Sequence, residues 1–407
     1  MSIEERLIRY CRIDTQSDPL NSGVVPSSEK QFDLAKLLVK ELQEMGIEDA
    51  CVDEHCYVYA HLASNMDRDV RKTGFIAHMD TAPDFSGTGV NPVIIECFDG
   101  NDIQLNADTV TRMADFPYMK KLKGKRLIVT DGTTLLGADD KAGIAAIMEA
   151  VQYLVQNPEV KHGQVSVCFT PDEEIGNGPS HFDVKRFDAD FAYTMDGDRV
   201  NEAADETFSA ASAVVTFKGF SIHPGEAKNK MVNAAANACR FQAILPQYMV
   251  PEHTEGKEGF IHLTGMKGNT EAAELKYILR DHDKDLLNAK KQILEQAVSY
   301  MQKTCGEDSV SLEIRDSYRN MKEVLDRYPF VMETAEKAIR ALGMEPERVS
   351  VRGGTDGAEI SYMGLPCPNL GTGGGNFHGP FEYCDVQELE TACRLILKIT
   401  ELTASEA

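Results

Sequence analysis

The sequence predicts an α/β protein built on a mixed, largely parallel, doubly wound sheet, with a smaller α+β unit inserted into it. Three observations carry this reading. Strand-like and helix-like segments alternate as strand, helix, strand through the first half. Near residue 209 the apolar pattern changes to alternating strands. After about residue 320, a helix, two Gly-rich loops and a last helix restore the first pattern. The expected division is residues 1–208 with 320–407 in one domain and 209–319 in the inserted one, and 407 residues suit two domains.

The elements follow in order. Ser2 and Glu5 form an S-x-x-E capping box ahead of Leu7 and Ile8. Ser28 and Gln31 repeat the signal before the stripe Leu34, Leu37, Leu38, Leu42 and Met45, which Gly46 ends. A short apolar run at 74–80 reads as a strand, and the Gly-, Pro-, Asn- and Asp-rich stretch to about 126 as loop. Residues 126–130 are strand-like, 142–155 have helical periodicity, and strands return at 164–170 and 190–194. In the inserted unit, strands at 213–217, 260–266, 274–280 and 310–315 accompany a helix from Asn233 and a long one over 284–304. Helices at 329–342 and from 385 to about 402 close the chain.

Composition narrows the partners. There are 42 Lys+Arg against 65 Asp+Glu, a net charge of −23, so long-range repulsion excludes nucleic acid and anionic membrane surfaces. The acidic start lacks the charge pattern of a secretory signal, and no run of about 18 apolar residues spans a membrane, so a soluble protein is expected. Ten cysteines are scattered without a C-x-x-C, as expected of reduced thiols in the cytoplasm.

The chemistry lies where acids and histidines meet strand ends. His78 and Asp80 end one strand, Glu173 and Glu174 follow another, and Asp196 closes a third. Asp139 and Asp140 sit at a turn into a helix, and His378 lies in the loop Gly373-Gly-Gly-Asn-Phe-His-Gly379. Open α/β sheets bind ligands beyond the carboxyl ends of their strands, so these side chains can share a pocket. Converging carboxylates are costly without a compensating cation. Nitrogen and oxygen donors without thiolate suit zinc, and also cobalt or manganese. Two such ions about 3.5–4 Å apart share a carboxylate and support amide hydrolysis.

Each piece alone has a plainer reading. Pro171-Asp-Glu-Glu174 is then a solvated acidic turn, Asp139-Asp140 a helix N-terminus favoured by its dipole, and His378 a buried imidazole. Their joint occurrence favours a site. Nucleotide binding is excluded, because Gly87-Thr-Gly89 lacks the third glycine of G-x-G-x-x-G and Arg352-Gly-Gly-Thr-Asp-Gly357 lacks G-K-[ST].

Taken together, His78-x-Asp80, Gly137-Ala-Asp-Asp-Lys-Ala-Gly143, Thr170-Pro-Asp-Glu-Glu174, Asp196-Gly, His223-Pro-Gly225, Arg352-Gly-Gly-Thr-Asp-Gly357 and the His378-Gly loop resemble the M20 metallopeptidases over essentially the whole chain. The resemblance implies an aminopeptidase that releases the N-terminal residue of tripeptides, with a dipeptidase, an aminoacylase or a non-hydrolytic peptide-binding protein as alternatives. It implies two zinc ions per chain, replaceable by cobalt or manganese, with His78 and Asp196 on one, Glu174 and His378 on the other, and Asp139 bridging. Asp140, the residue after the bridge, is expected outside the donor set. Asp80 is expected to orient the His78 ring, and Glu173 to move a proton from the attacking water to the leaving amine. The inserted unit is expected to be a lid or dimerisation domain, which makes a homodimer one expected assembly. His223 is implied as an oxyanion donor; before Pro224 it also reads as a turn histidine. Arg280 or Arg352 is expected to grip the substrate's terminal carboxylate, Arg280 reading equally as an ion-pair partner of Asp281 or Asp283. Asn376 is expected to bond the peptide backbone.

Overall fold

The computed structural model describes residues 1–405. It divides into two compact units: Met1–Asp205 with Met321–Val349 and Thr355–Ala407, and Glu206–Asn320 with Ser350–Gly354. The short return segment Ser350–Gly354 places Arg352 with the smaller unit.

An eight-stranded sheet organises the larger unit, in the order Cys51–Val52, Val58–Leu62, Val165–Thr170, Thr73–His78, Phe191–Gly197, Asn369–Gly371, Glu202–Thr207, Glu347–Val351. The four strands Val165–Thr170, Thr73–His78, Phe191–Gly197 and Asn369–Gly371 run parallel to one another, and antiparallel neighbours flank them at Val58–Leu62 and Glu202–Thr207. Thr73–His78 and Val165–Thr170 are buried along their whole length. Parallel strands need cover on both faces, hence their unbroken apolar runs. The helix Ala138–Gln156 supplies cover on one face, packing on Thr73–His78 and Phe191–Gly197.

The first capping box forms as expected, Ser2 Oγ accepting from Glu5 N–H at 3.2 Å and Glu5 Oε2 from Ser2 N–H at 2.9 Å. The second does not. The helix Gln31–Glu44 starts without a side-chain cap, because the Gln31 amide donates to Asp172 at 2.6 Å. A distant buried carboxylate outcompetes the local box. The expected strand near 126–130 is Leu127–Val129, but it lies in a separate four-stranded sheet with Val93–Ile95, Tyr383–Asp385 and Gly374–Gly375. Phe98, Met113 and Met119 give that sheet its own apolar cluster.

In the smaller unit, four strands pair in the order Phe260–Gly268, Ala272–Asp281, Ser209–Lys218, Val310–Asp316, all antiparallel. The helices Ala234–Ile244 and Lys284–Cys305, capped by Asn233 and Asp283, bury Ala238, Phe241, Leu294 and Met301 against it. All ten cysteines are free. Among the described residues no helix is long and apolar enough to cross a membrane.

One close approach ties fold to site. A Cβ on Gly143 would lie 2.1 Å from the Met195 carbonyl oxygen, so only glycine lets the helix sit this near the strand that carries Asp196. Gly143→Ala is therefore expected to destabilise the fold by about 1–3 kcal/mol through overpacking, read as a lower midpoint in chemical denaturation; an unchanged midpoint contradicts the packing argument.

Candidate metal centre

Neighbouring parallel strands deliver the chemistry to one end of the main sheet. Thr73–His78 ends in His78, Val165–Thr170 leads into Glu173 and Glu174, and Phe191–Gly197 carries Asp196. The fourth parallel strand, Asn369–Gly371, leads into the hairpin whose loop holds His378. Asp139 and Asp140 open the helix Ala138–Gln156 with non-helical dihedrals, and the peptide between them is cis.

Asp139 faces both imidazoles. Its Oδ1 is 2.8 Å from His78 Nε2 and its Oδ2 3.4 Å from His378 Nε2. His378 Nε2 lies 3.1 Å from Glu174 Oε2, and His78 Nε2 lies 3.5 Å from Asp196 Oδ1. Donor atoms of His78, Asp139 and Glu174 fall within 4.8 Å of one another, as do those of His78, Asp140 and Asp196. Glu174 Oε1 is buried and has no hydrogen-bond partner among the described residues. An orphaned acceptor beside two imidazoles, in a donor set of nitrogen and oxygen only, fits a divalent cation of the zinc, cobalt or manganese kind.

Asp140 stands closer than expected. Its carboxylate approaches His78 and Asp196, yet its oxygens accept the backbone N–H groups of His78 at 3.2 Å and Gly143 at 3.1 Å. Those bonds commit it to the backbone and leave Asp139 as the carboxylate open toward both rings. Asp80 is fully buried. Its Oδ1 accepts from Glu173 N–H at 3.0 Å and lies 3.3 Å from His78 Nδ1, and its Oδ2 accepts from Glu174 N–H at 3.2 Å. One carboxylate thus joins the ends of two adjacent strands. Among the described residues, the Glu173 side chain has no hydrogen-bond partner.

Three buried acids that sequence reasoning did not single out complete the frame. Asp172 accepts from Ser27 N–H, Ser27 Oγ and Gln31 Nε2, each at 2.6 Å, and so anchors the loop bearing Glu173 and Glu174. Asp356 accepts from Thr170 Oγ1 at 2.6 Å. Glu382 takes the N–H groups of Leu136, Gly137 and Asp139. The Gln31 signal was visible but read as a cap; the other partners are too remote in sequence for local patterns to pair them.

The electrostatics record a surplus of acid. Burial, then the charge of Asp139, pushes the Glu174 carboxyl up to about 8, and burial pushes Asp196 up to about 6. Burial followed by the Asp196 charge raises Glu173 well above the usual range. Burial alone would lower His78, but Asp139, Asp196 and Asp80 hold it well above its ordinary value. Hydrogen bonds to Asp139 and Glu174 raise His378 to about 11. Asp139, despite burial, is drawn below the carboxylate range by the two histidines.

The remaining candidates are positioned differently. Asn376 lies on the His378 loop; its Nδ2 donates to Phe381 O at 3.1 Å and its Oδ1 accepts from Tyr118 Oη, so its amide is engaged both by its own loop and by the distant Tyr118. Within the smaller unit, exposed His223 accepts the Gly225 N–H on Nδ1 at 3.2 Å, which selects the tautomer with its proton on Nε2. Arg352 has its guanidinium engaged within the smaller unit. Its Nη1 donates to Gly256 O at 2.6 Å and Glu258 O at 2.9 Å, its Nη2 to Thr254 O and Oγ1, and its guanidinium lies over the Phe208 ring. Arg280 donates Nη1 to Arg352 O at 3.2 Å, and its buried Nε has no partner among the described residues. It forms no ion pair with its expected alternatives, since Asp281 pairs with Lys290 and Asp283 caps the helix Lys284–Cys305.

Known proteins resemble this chain throughout. Residues 115–402 match peptidase family M20/M25/M40. Peptidase T of Lysinibacillus sphaericus (strain C3-41) is 51% identical over 403 residues, covering 99% of this chain and 98% of its own. Among solved structures, aminopeptidase PepT from Bacillus cereus superposes with a TM-score of 0.77 at 23% identity, over 99% of this chain and 98% of that one. A dinuclear metal-binding peptidase of the M20 family from Bacillus subtilis superposes with a TM-score of 0.66 at 17% identity, over 100% and 99% of the two chains. Likeness at these identities shows the fold.

The proton balance predicts a pH effect on metal-free protein. Asp196 and Glu174 have ordinary values of 3.8 and 4.5 but hold their protons to about 6 and about 8 when folded, and burial raises Glu382 from 4.5 to about 7. Between about pH 4 and 8 the native state therefore binds more protons than the unfolded chain, so stability falls as pH rises. The melting temperature of chelator-treated protein is expected to drop from pH 5 to pH 8, and saturating zinc to raise it more at pH 8 than at pH 5. Equal zinc shifts at both pH values contradict this.

Proposed function

We propose that this chain, which belongs to peptidase family M20/M25/M40, is a metal-dependent aminopeptidase that releases the N-terminal residue from tripeptides. The observation that carries the reading is the Asp139 carboxylate, one oxygen toward His78 and the other toward His378. A carboxylate so placed suits a bridge between two divalent ions, zinc foremost, with cobalt or manganese as substitutes. In this reading His78 and Asp196 hold one ion and Glu174 and His378 the other. When bound, the ions would supply Lewis acidity, polarising the scissile carbonyl and acidifying the attacking water.

The chain's own groups supply the rest. His78 Nδ1 bonds the Asp80 carbonyl oxygen at 3.1 Å with the Asp80 carboxylate 3.3 Å away, so Asp80 takes the Nδ1 proton and keeps Nε2 aimed at the centre as a lone-pair donor. Glu173, adjacent to the donor set and with its side chain unbonded, takes a proton from the attacking water and returns it to the leaving amine. From the smaller unit, His223 Nε2–H is a ready donor for the developing oxyanion. Arg280, with donors to spare, is the better anchor for the substrate's terminal carboxylate than Arg352, whose two terminal nitrogens are already bonded. Gripping that carboxylate limits peptide length. A cytoplasmic setting goes with the ten free thiols.

Two assays test this. In the series Ala-Ala, Ala-Ala-Ala, Ala-Ala-Ala-Ala and N-acetyl-alanine, the tripeptide is expected to have the highest kcat/KM; preference for the dipeptide or the acetylated substrate would replace this reading with a dipeptidase or an aminoacylase. Glu173→Ala is expected to keep its metal content and lose at least about 100-fold in kcat. A variant with wild-type kcat removes Glu173 from the base role, and EDTA-treated enzyme with full activity removes the metal.

A further inference from the structure

Glu382 lies four residues beyond His378, in a loop where sequence patterns give it no role. Its side chain is 1% exposed and both oxygens are occupied. Oε2 accepts from Leu136 N–H at 2.7 Å and Gly137 N–H at 2.8 Å, and Oε1 accepts from Asp139 N–H at 3.1 Å. These amides form the turn that aims the Asp139 carboxylate, at the start of the helix Ala138–Gln156, where N–H groups lack intrahelical acceptors. On the other side, Asn376 Nδ2 donates to Phe381 O at 3.1 Å, closing the loop between His378 and Glu382. One side chain thus spans the two loops that carry Asp139 and His378. His78 and Asp196 sit on strands of the main sheet, and Asp80 and Asp140 hold His78 without help from Glu382.

We propose that Glu382 is a positioning residue that holds Asp139 and His378 in register, and that it controls the ion at Glu174 and His378 far more than the ion at His78 and Asp196. The inference rests on the two-ion reading above. Two of the three donors around the first ion, Asp139 and His378, ride on loops tied by Glu382. Only Asp139 does so around the second. A carboxylate is needed because both oxygens accept; glutamine keeps the shape but turns an NH₂ donor toward N–H donors, leaving buried groups unpaired.

The test is calorimetric titration of zinc into chelator-treated, full-length wild type and Glu382→Gln. The wild type is expected to show two sites. In the variant one site keeps its affinity within about threefold while the other weakens by about 10–100-fold, the range usual for groups that orient metal ligands. In peptide hydrolysis the loss is expected in kcat more than in KM. Two sites of wild-type affinity in the variant, or equal losses at both, overturn the proposal. A wild type that takes up no zinc overturns the metal reading itself, a distinguishable failure. Should Glu382→Gln not fold, hydrogen exchange on the chelator-treated wild type decides. Amides of Leu136, Gly137 and Asp139 slowed by at least about tenfold relative to unstructured peptide support the clamp, and exchange at the unstructured rate overturns it.

Discussion

More carboxylates than imidazoles are buried at one end of the main sheet, and the rest of the site is organised around that imbalance. Asp139, Glu174 and Asp196 converge on two histidines, with Glu173, Asp80 and Asp140 close behind. Imidazolium charge can offset only part of such a cluster. What remains must be neutralised by protons, as the raised carboxyls of Glu174 and Asp196 record, or by cations. A fold that held these acids apart would avoid the cost. This one pays it, using Asp80, Asp140 and Glu382 to fix the geometry through backbone N–H groups.

Those backbone bonds separate two kinds of acid. Asp80, Asp140, Asp172 and Glu382 spend their oxygens on amides of the chain, so their charge is already met by oriented dipoles. Asp139, Glu174 and Asp196 face one another and the imidazoles, and Glu174 Oε1 has no partner among the described residues. The first group builds the site and the second is available to an incoming ion. Glu173 belongs to neither, which is what the proton-carrying role proposed for it would require.

Much of this was legible in the sequence, for a physical reason. Parallel strands read as apolar runs, and their carboxyl ends are where polar residues can meet, so His78, Asp80, Glu173, Glu174 and Asp196 could be located without coordinates. The choice of Asp139 over Asp140 came from family resemblance; the backbone bonds of Asp140 are a physical argument on the same side. What was not legible depends on long-range partners. Asp139 and Glu382 are 243 positions apart, and Gln31 meets Asp172 across 141 positions, overriding a local capping signal. The same limit governs Arg352, whose loop position gave no sign of the carbonyls of residues 254–258 that its guanidinium meets. The separate sheet containing Leu127–Val129 was hidden because a short apolar run does not announce its neighbours.

The central claim is that Asp139 is shared between two cations. Its most direct test is anomalous X-ray scattering, at the zinc edge, from crystals of the zinc-loaded protein. Two peaks are predicted, one on each side of the Asp139 carboxylate and about 3.5–4 Å apart, the first beside His78 and Asp196 and the second beside Glu174 and His378. A single peak, or none within reach of Asp139, would contradict the account.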